Sequence, residues 1–288
     1  MSTSASIYAA IVVKSMVLYI GMSTVIIGLL GNILNTIVFL SLRTFRENSC
    51  AFYLTLMSFV NIGHLITGQL TRVMLTGFDM DWTETSLFYC KFRAFSLQTF
   101  GFISLTCLCL ATMDQFLATC TGTYWQQWST IKVAQRLGVL SIVIWIIYCI
   151  PYLIFYDFNV SLTTGAISCS NMNQNFRQYH SYVNNIVLSG GLPLLITIIL
   201  GTLAYKNVRQ LTYRTVPLVR RELDKQLTNM VLIQIIFSCF ALFPYLIMSI
   251  VPSLTNTNRD ANTAAQYSMA INATACIYYF NYAVRIHF

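Results

Sequence analysis

Apolar residues fall into long runs along this chain, and charged residues mark where each run stops. Seven windows hold no Asp, Glu, Lys or Arg: 16–42, 48–71, 94–113, 137–156, 178–205, 226–258 and 261–284. Each supplies the ~20 residues that a helix rising ~1.5 Å per residue needs to cross ~30 Å of hydrocarbon. The pattern predicts helices at about 16–42, 48–72, 88–116, 136–157, 179–206, 225–253 and 262–286. The expectation is an all-α membrane protein, a seven-transmembrane helix bundle over 16–286, with an extracellular leading segment (1–15) and a cytoplasmic end at 287–288 that is either truncated or simply short. Two more uncharged windows, 115–131 and 158–176, are crowded with Thr, Ser, Asn and Gln and are expected to be loops. The stretch Phe88–Cys120 organises the rest, with twenty residues free of Asp, Glu, Lys and Arg between Arg93 and Asp114.

Composition strengthens this picture. Hydrophobic residues make up 56% of the 288 and charged residues 9%, against ~25% charged in soluble domains. The lipid bilayer is therefore the expected solvent. The formal charge of +8 reads as topology and not as a nucleic-acid footprint. Alternate connections carry eleven and six Lys and Arg, which places the N-terminus outside and the C-terminus inside. Six of the eleven lie in Lys206–Lys225, a loop suited to topogenesis and anionic lipid, or to a cytoplasmic partner. No charge precedes the short apolar run in Met1–Val13, so no cleavable signal peptide is expected and the first span serves as its own insertion signal.

Candidate chemistry is sparse. Nine cysteines include no Cys-x-x-Cys pair and no Cys/His cluster, which disfavours zinc. Cys90 and Cys169 both fall on the outer, oxidising side, where a disulfide between them is the natural inference. Asn159-Val-Ser161 is a glycosylation sequon on the same side, whereas Asn272-Ala-Thr274 lies inside the last window. His64, His180 and His287 are dispersed, and an enzyme would need a nucleophile with a base, or a metal cluster. His64 is expected to be neutral and bonded to a neighbour. No internal repeat or intramembrane acid supports a transporter or channel. No cofactor is implied.

Seven spans, an outer cysteine heading the third and an acid at its base together resemble the rhodopsin-like (family A) G-protein-coupled receptors, over Gly28–Phe288. Gly31-Asn32 is similar to the family's first-span Gly-Asn pair, and Trp82 to the tryptophan that precedes the third-span cysteine. Asp114, Gln115 and Phe116 stand where the family has Asp-Arg-Tyr, so the spacing is kept and the arginine is missing. Trp145, Pro193 and Phe243-Pro244-Tyr245 resemble the fourth-, fifth- and sixth-span signatures, and Asn281 the asparagine of Asn-Pro-x-x-Tyr. Departures accompany these matches. Asn61 replaces the second-span aspartate, Leu242 the toggle tryptophan, and Tyr282 and Arg285 the seventh-span proline and tyrosine. With Asn61 neutral, sodium allostery is expected to be weak or absent.

The resemblance implies an extracellular ligand, a heterotrimeric G protein as cytoplasmic partner and multi-pass residence in the plasma membrane. A non-coupling or decoy receptor is the alternative. It further implies that Asp224 faces Gln115, a pairing that cannot be ionic. Leu97 stands where amine receptors carry an aspartate, so a peptide or a small non-amine ligand is expected. Polar residues at membrane depth face the interior, and Gln69, Gln98, Thr99, Asn184, Asn185 and Gln266 line the pocket or bond other helices. Asp114 is either a solvated helix-end carboxylate or part of the activation machinery. Pro193 and Pro244 are expected to kink their helices.

Overall fold

The computed structural model describes residues 2–120, 122–160, 167–211, 218–254 and 261–283. Arg285, Ser161 and residues 287–288 lie outside these, as does the Asp224 side chain. Helix α1 runs through Ser2–Met16, widens to π winding over Val17–Gly21 and returns to α geometry over Met22–Ser41. Helix α2 comprises Ser49–His64 followed by wide turns at Leu65–Leu70 and Val73–Gly77. Then come α3 (Leu87–Thr119) and α4 (Ile131–Phe155), strands β1 (Tyr156–Val160) and β2 (Ile167–Asn171), and α5 (Gln174–Tyr179, His180–Gly191 and Leu192–Leu211). Helices α6 (Leu218–Leu254) and α7 (Ala261–Ala283) complete the bundle.

Several bounds differ from the sequence pattern: α2 runs on to Gly77, α5 to Leu211, and α6 begins at Leu218, each past a charged residue that ended the apolar run, and three further differences are instructive. Lys14 bounds the apolar run but not the helix: α1 begins at Ser2, and the Lys14 ammonium sits within it, exposed and ion-paired with Asp79. The expected loop at 158–176 instead holds parts of an antiparallel hairpin and the start of α5, and Phe158 is paired with Cys169. Strand pairing and the Cys90–Cys169 bond give this partly exposed segment a regular structure that its polar composition does not signal. The expected loop at 115–131 is also largely helical: α3 continues as far as Thr119, a single helical turn spans Thr123–Gln126, and α4 begins at Ile131.

Six helices among the described residues are long and apolar enough to span a membrane by composition. The seventh, α7, falls short because Asn262, Gln266, Ser268, Asn272, Thr274 and Asn281 interrupt it. It packs between α1 and α6 and also touches α2. Helix α3 is the hub: 61% of its apolar window is buried, against 22% for α4. Side-chain oxygens of Asn48, Ser86 and Asn173 cap the starts of α2, α3 and α5. Between α1 and α2, the Arg43 guanidinium donates to Glu47 at 2.8 Å and holds that carboxyl below its usual pKa. Full exposure keeps the contribution of this pair to stability small. Gly28 lets α1 approach α7, since a Cβ there would stand 2.7 Å from the Ala283 Cβ.

Candidate ligand cavity and the polar core beneath it

One end of the bundle carries the disulfide. Cys90, in the first turn of α3, is bonded to Cys169 in the middle of β2, with Cα atoms 5.7 Å apart. The hairpin is thereby fixed over α3. Beneath it lies a cavity of about 70 Å³ walled by five helices. Helix α2 gives His64; α3 gives Leu97, Gln98, Gly101, Phe102 and Leu105; α5 gives His180, Asn185 and Ser189. The remaining wall is Leu242, Tyr245 and Leu246 of α6 with Tyr278 and Tyr279 of α7. The lining has no Asp, Glu, Lys or Arg but is rich in neutral hydrogen-bonding groups.

Local winding explains the α5 wall. His180–Gly191 is π-helical, so residues four to five apart share a face and His180, Asn185 and Ser189 point the same way. Gly190, Gly191 and Pro193 follow at once, and Pro193 has no backbone N–H to donate to the preceding turn. At the meeting of α2, α3 and α7, Gly68 leaves room for a close approach. A Cβ there would stand 2.6 Å from Tyr279 and 2.7 Å from Leu97.

From the cavity a chain of polar groups runs toward the opposite end. His64 Nδ1 lies 3.2 Å from the Leu97 carbonyl, which makes it the donor and leaves Nε2 to accept from the Tyr278 hydroxyl at 3.4 Å. The neutral, bonded histidine expected from the sequence is the state that fits this geometry. Tyr282 donates to the Tyr278 hydroxyl at 3.1 Å. Its backbone carbonyl accepts from Asn32 at 2.9 Å and from Asn61 at 3.4 Å, and Asn61 in turn accepts from Ser104 at 2.6 Å. The neighbouring Asn281 is a clasp. Its amide oxygen accepts from Gln234 at 3.2 Å and Ser238 at 3.1 Å, both on α6.

At the far end, α3 presents Asp114 and Gln115 in different directions. The Ser49 hydroxyl lies 2.8 and 2.7 Å from the two carboxylate oxygens of Asp114, which is only 6% exposed. The solvated helix-end alternative is therefore corrected: this carboxylate is buried against α2. Gln115 accepts from Thr228 at 2.9 Å, one turn beyond Asp224 on α6. Beside Asp114 opens a groove of about 360 Å³ that includes Tyr53, Tyr124, Trp125 and Trp128.

The remaining sequence candidates fall into place individually. Leu97, Gln98 and Asn185 reach the cavity. Asn184 does not, since its fully buried amide bonds Tyr148 at 2.5 Å and Tyr152 on α4. Gln266 is exposed on α7 and also lies outside the cavity, and Phe116 is half-buried. Trp145 bonds Thr106 at 2.8 Å and stacks on Phe102, while Pro193 and Pro244 sit within α5 and α6. Leu242 is buried with Leu105 and Leu194. Asn159 lies in β1 opposite Ser168.

Residues 31–284 match the family described as 7 transmembrane receptor (rhodopsin family). This chain belongs to the rhodopsin family of seven-transmembrane receptors. Comparison with curated proteins returns no match. The match confirms the resemblance read from Gly31-Asn32, Cys90, Asp114 and Pro244. In this rhodopsin-family receptor, sequence reasoning missed His180, Ser189, Tyr278 and Tyr279 as cavity residues. His64 and His180, far apart in the chain, share one wall system. Gly190-Gly191-Leu-Pro193 was the available signal for the wide α5 turns; nothing local marks Tyr278.

Proposed function

We propose that this chain is a G-protein-coupled receptor for a small, non-amine extracellular ligand, with the disulfide end outside and the Gln115 end in the cytoplasm of a plasma-membrane protein. The observation that carries this reading is the dual role of α6. One helix supplies Leu242 and Tyr245 to the cavity, Ser238 and Gln234 to the Asn281 clasp, and Thr228 to the Gln115 contact. A ligand that displaces Tyr245 therefore acts on the same rigid element that closes the opposite end. That is the coupling a population shift requires, since the two states differ in contacts at both sites. Absence of a carboxylate from the cavity argues against a cationic amine, and its small volume favours a small molecule over deep entry by a peptide. The polar middle around Asn32, Asn61 and Ser104 is neutral, which supports weak sodium sensitivity.

The test is nucleotide exchange across a panel of G proteins in cells expressing the full chain. Exchange above that of mock-transfected cells supports the reading. Silence with confirmed surface expression favours the non-coupling alternative, to which the missing arginine at Gln115 lends weight. Within a coupling receptor, Thr228→Val removes the hydroxyl that holds Gln115 and is expected to raise ligand-free exchange about two- to fivefold, the equivalent of roughly 0.5–1 kcal/mol of lost inactive-state contact. Unchanged basal exchange, at matched expression, would show that this contact does not hold the inactive state.

A further inference from the structure

Just outward of the cavity the helices carry two arginines with no acidic partner. Arg72 lies four residues beyond Gly68 on α2, and Arg93 four residues before Leu97 on α3. Both are half-buried, and among the described residues neither has a carboxylate within 4 Å. Each is held by one protein oxygen. Arg72 Nη2 donates to Asn272 at 2.8 Å, and Arg93 Nε donates to the Thr67 carbonyl at 3.3 Å. Arg72 Nε is buried and bonds nothing.

The nearby acids are committed elsewhere. Asp79 pairs with Lys14, Asp81 caps the turn at Trp82–Thr85, and Asp157 accepts from the Phe158 backbone. Glu84 is exposed on that turn. Gly68 and Leu97 meet at the Tyr279 ring, which lines the cavity, so Arg72 and Arg93, each about one turn outward of that meeting, flank the same edge of it. Two half-buried guanidinium groups with no carboxylate partner among the described residues favour an anion beside them, and they present forked donors suited to oxyanions.

We infer that Arg72 and Arg93 form an oxyanion site at the mouth of the cavity, so that the ligand is a small soluble organic anion whose uncharged end enters among His64, Gln98, Tyr245 and Tyr278. This rests on the receptor reading only for what the ligand triggers; binding itself is tested without a G protein. The full chain, purified in neutral detergent at fixed ionic strength, is melted with benzoate or phenyl phosphate and, separately, with neutral benzamide. The anions are expected to give a saturable rise in midpoint of about 2–4 °C that benzamide does not give. Arg72→Gln and Arg93→Gln are each expected to weaken phenyl phosphate at least tenfold, whereas Arg177→Gln, at an exposed cation, leaves it unchanged. Equal responses to benzoate and benzamide in the wild-type protein would overturn the site even if the arginine variants fail to fold. So would anion binding that survives both substitutions, and stabilisation only by phosphatidylglycerol in nanodiscs would overturn the soluble-ligand assignment. Failure to bind anions with exchange intact sinks this site alone; anion binding without exchange sinks the coupling alone.

Discussion

Replacing Cys90 or Cys169 with Ser is expected to strip most of this receptor from the cell surface. The bridge closes a loop spanning 79 positions, and a cross-link over a loop of that length contributes on the order of 2–5 kcal/mol in small proteins. Its local role is sharper. β2 holds Cys169 opposite Phe158, so the bond pins the hairpin to the first turn of α3 directly above the cavity. Without it, the hairpin is held only by strand pairing and side-chain packing, and a two-stranded hairpin is marginal alone. Surface labelling of each single variant and of the double variant is the measurement. The three should lose surface protein alike, because either substitution breaks the same bond. Normal surface levels for both single variants would remove the bridge from the account of stability.

Asn281→Ala carries the second large effect. Its amide oxygen is the common acceptor for Gln234 and Ser238, so one truncation removes both of these hydrogen bonds between α7 and α6. Gln234 keeps a longer contact to the Asn281 backbone carbonyl at 3.4 Å. One buried and one partly buried hydrogen bond at about 1 kcal/mol each place the expected loss at roughly 1–3 kcal/mol. If α6 is the moving element, the loss falls on the closed state and ligand-free exchange should rise about tenfold, while thermal stability in detergent drops by several degrees. Ser238→Ala removes one of the two contacts and should give a smaller change of the same sign. A drop in stability with no change in exchange would mean that the clasp holds the fold without setting the signalling equilibrium.

Much of this architecture is legible in the sequence. Charge-free windows marked the helices because hydrocarbon excludes unpaired charge, and the cysteines on the outer side identified the bridge that the structure contains. Pairings between distant residues set the limit. Lys14 ends an apolar run but not its helix, because an exposed ammonium with Asp79 beside it costs a helix end little. Asn184 looked like a pocket residue because membrane depth turns polar groups inward, but depth does not say which neighbour they meet, and Tyr148 and Tyr152 take this one. Gln266, on the least apolar helix, had no such constraint and faces outward. Asp114 stands at the spacing expected from Cys90, yet its burial depends on Ser49 of another helix. The wide turns in α5 are a backbone property that hydropathy does not encode.

The polarity of α7 has a consequence for how the molecule is made. A segment interrupted by Asn262, Gln266, Asn272 and Asn281 has little drive to leave the translocon for lipid by itself. Its carbonyl at Tyr282 and its amide at Asn281 instead find donors on α1, α2 and α6. Entry of the last helix is thus expected to be cooperative, completed only when its neighbours are already waiting, and damage to Asn32 or Gln234 is expected to lower the yield of inserted protein.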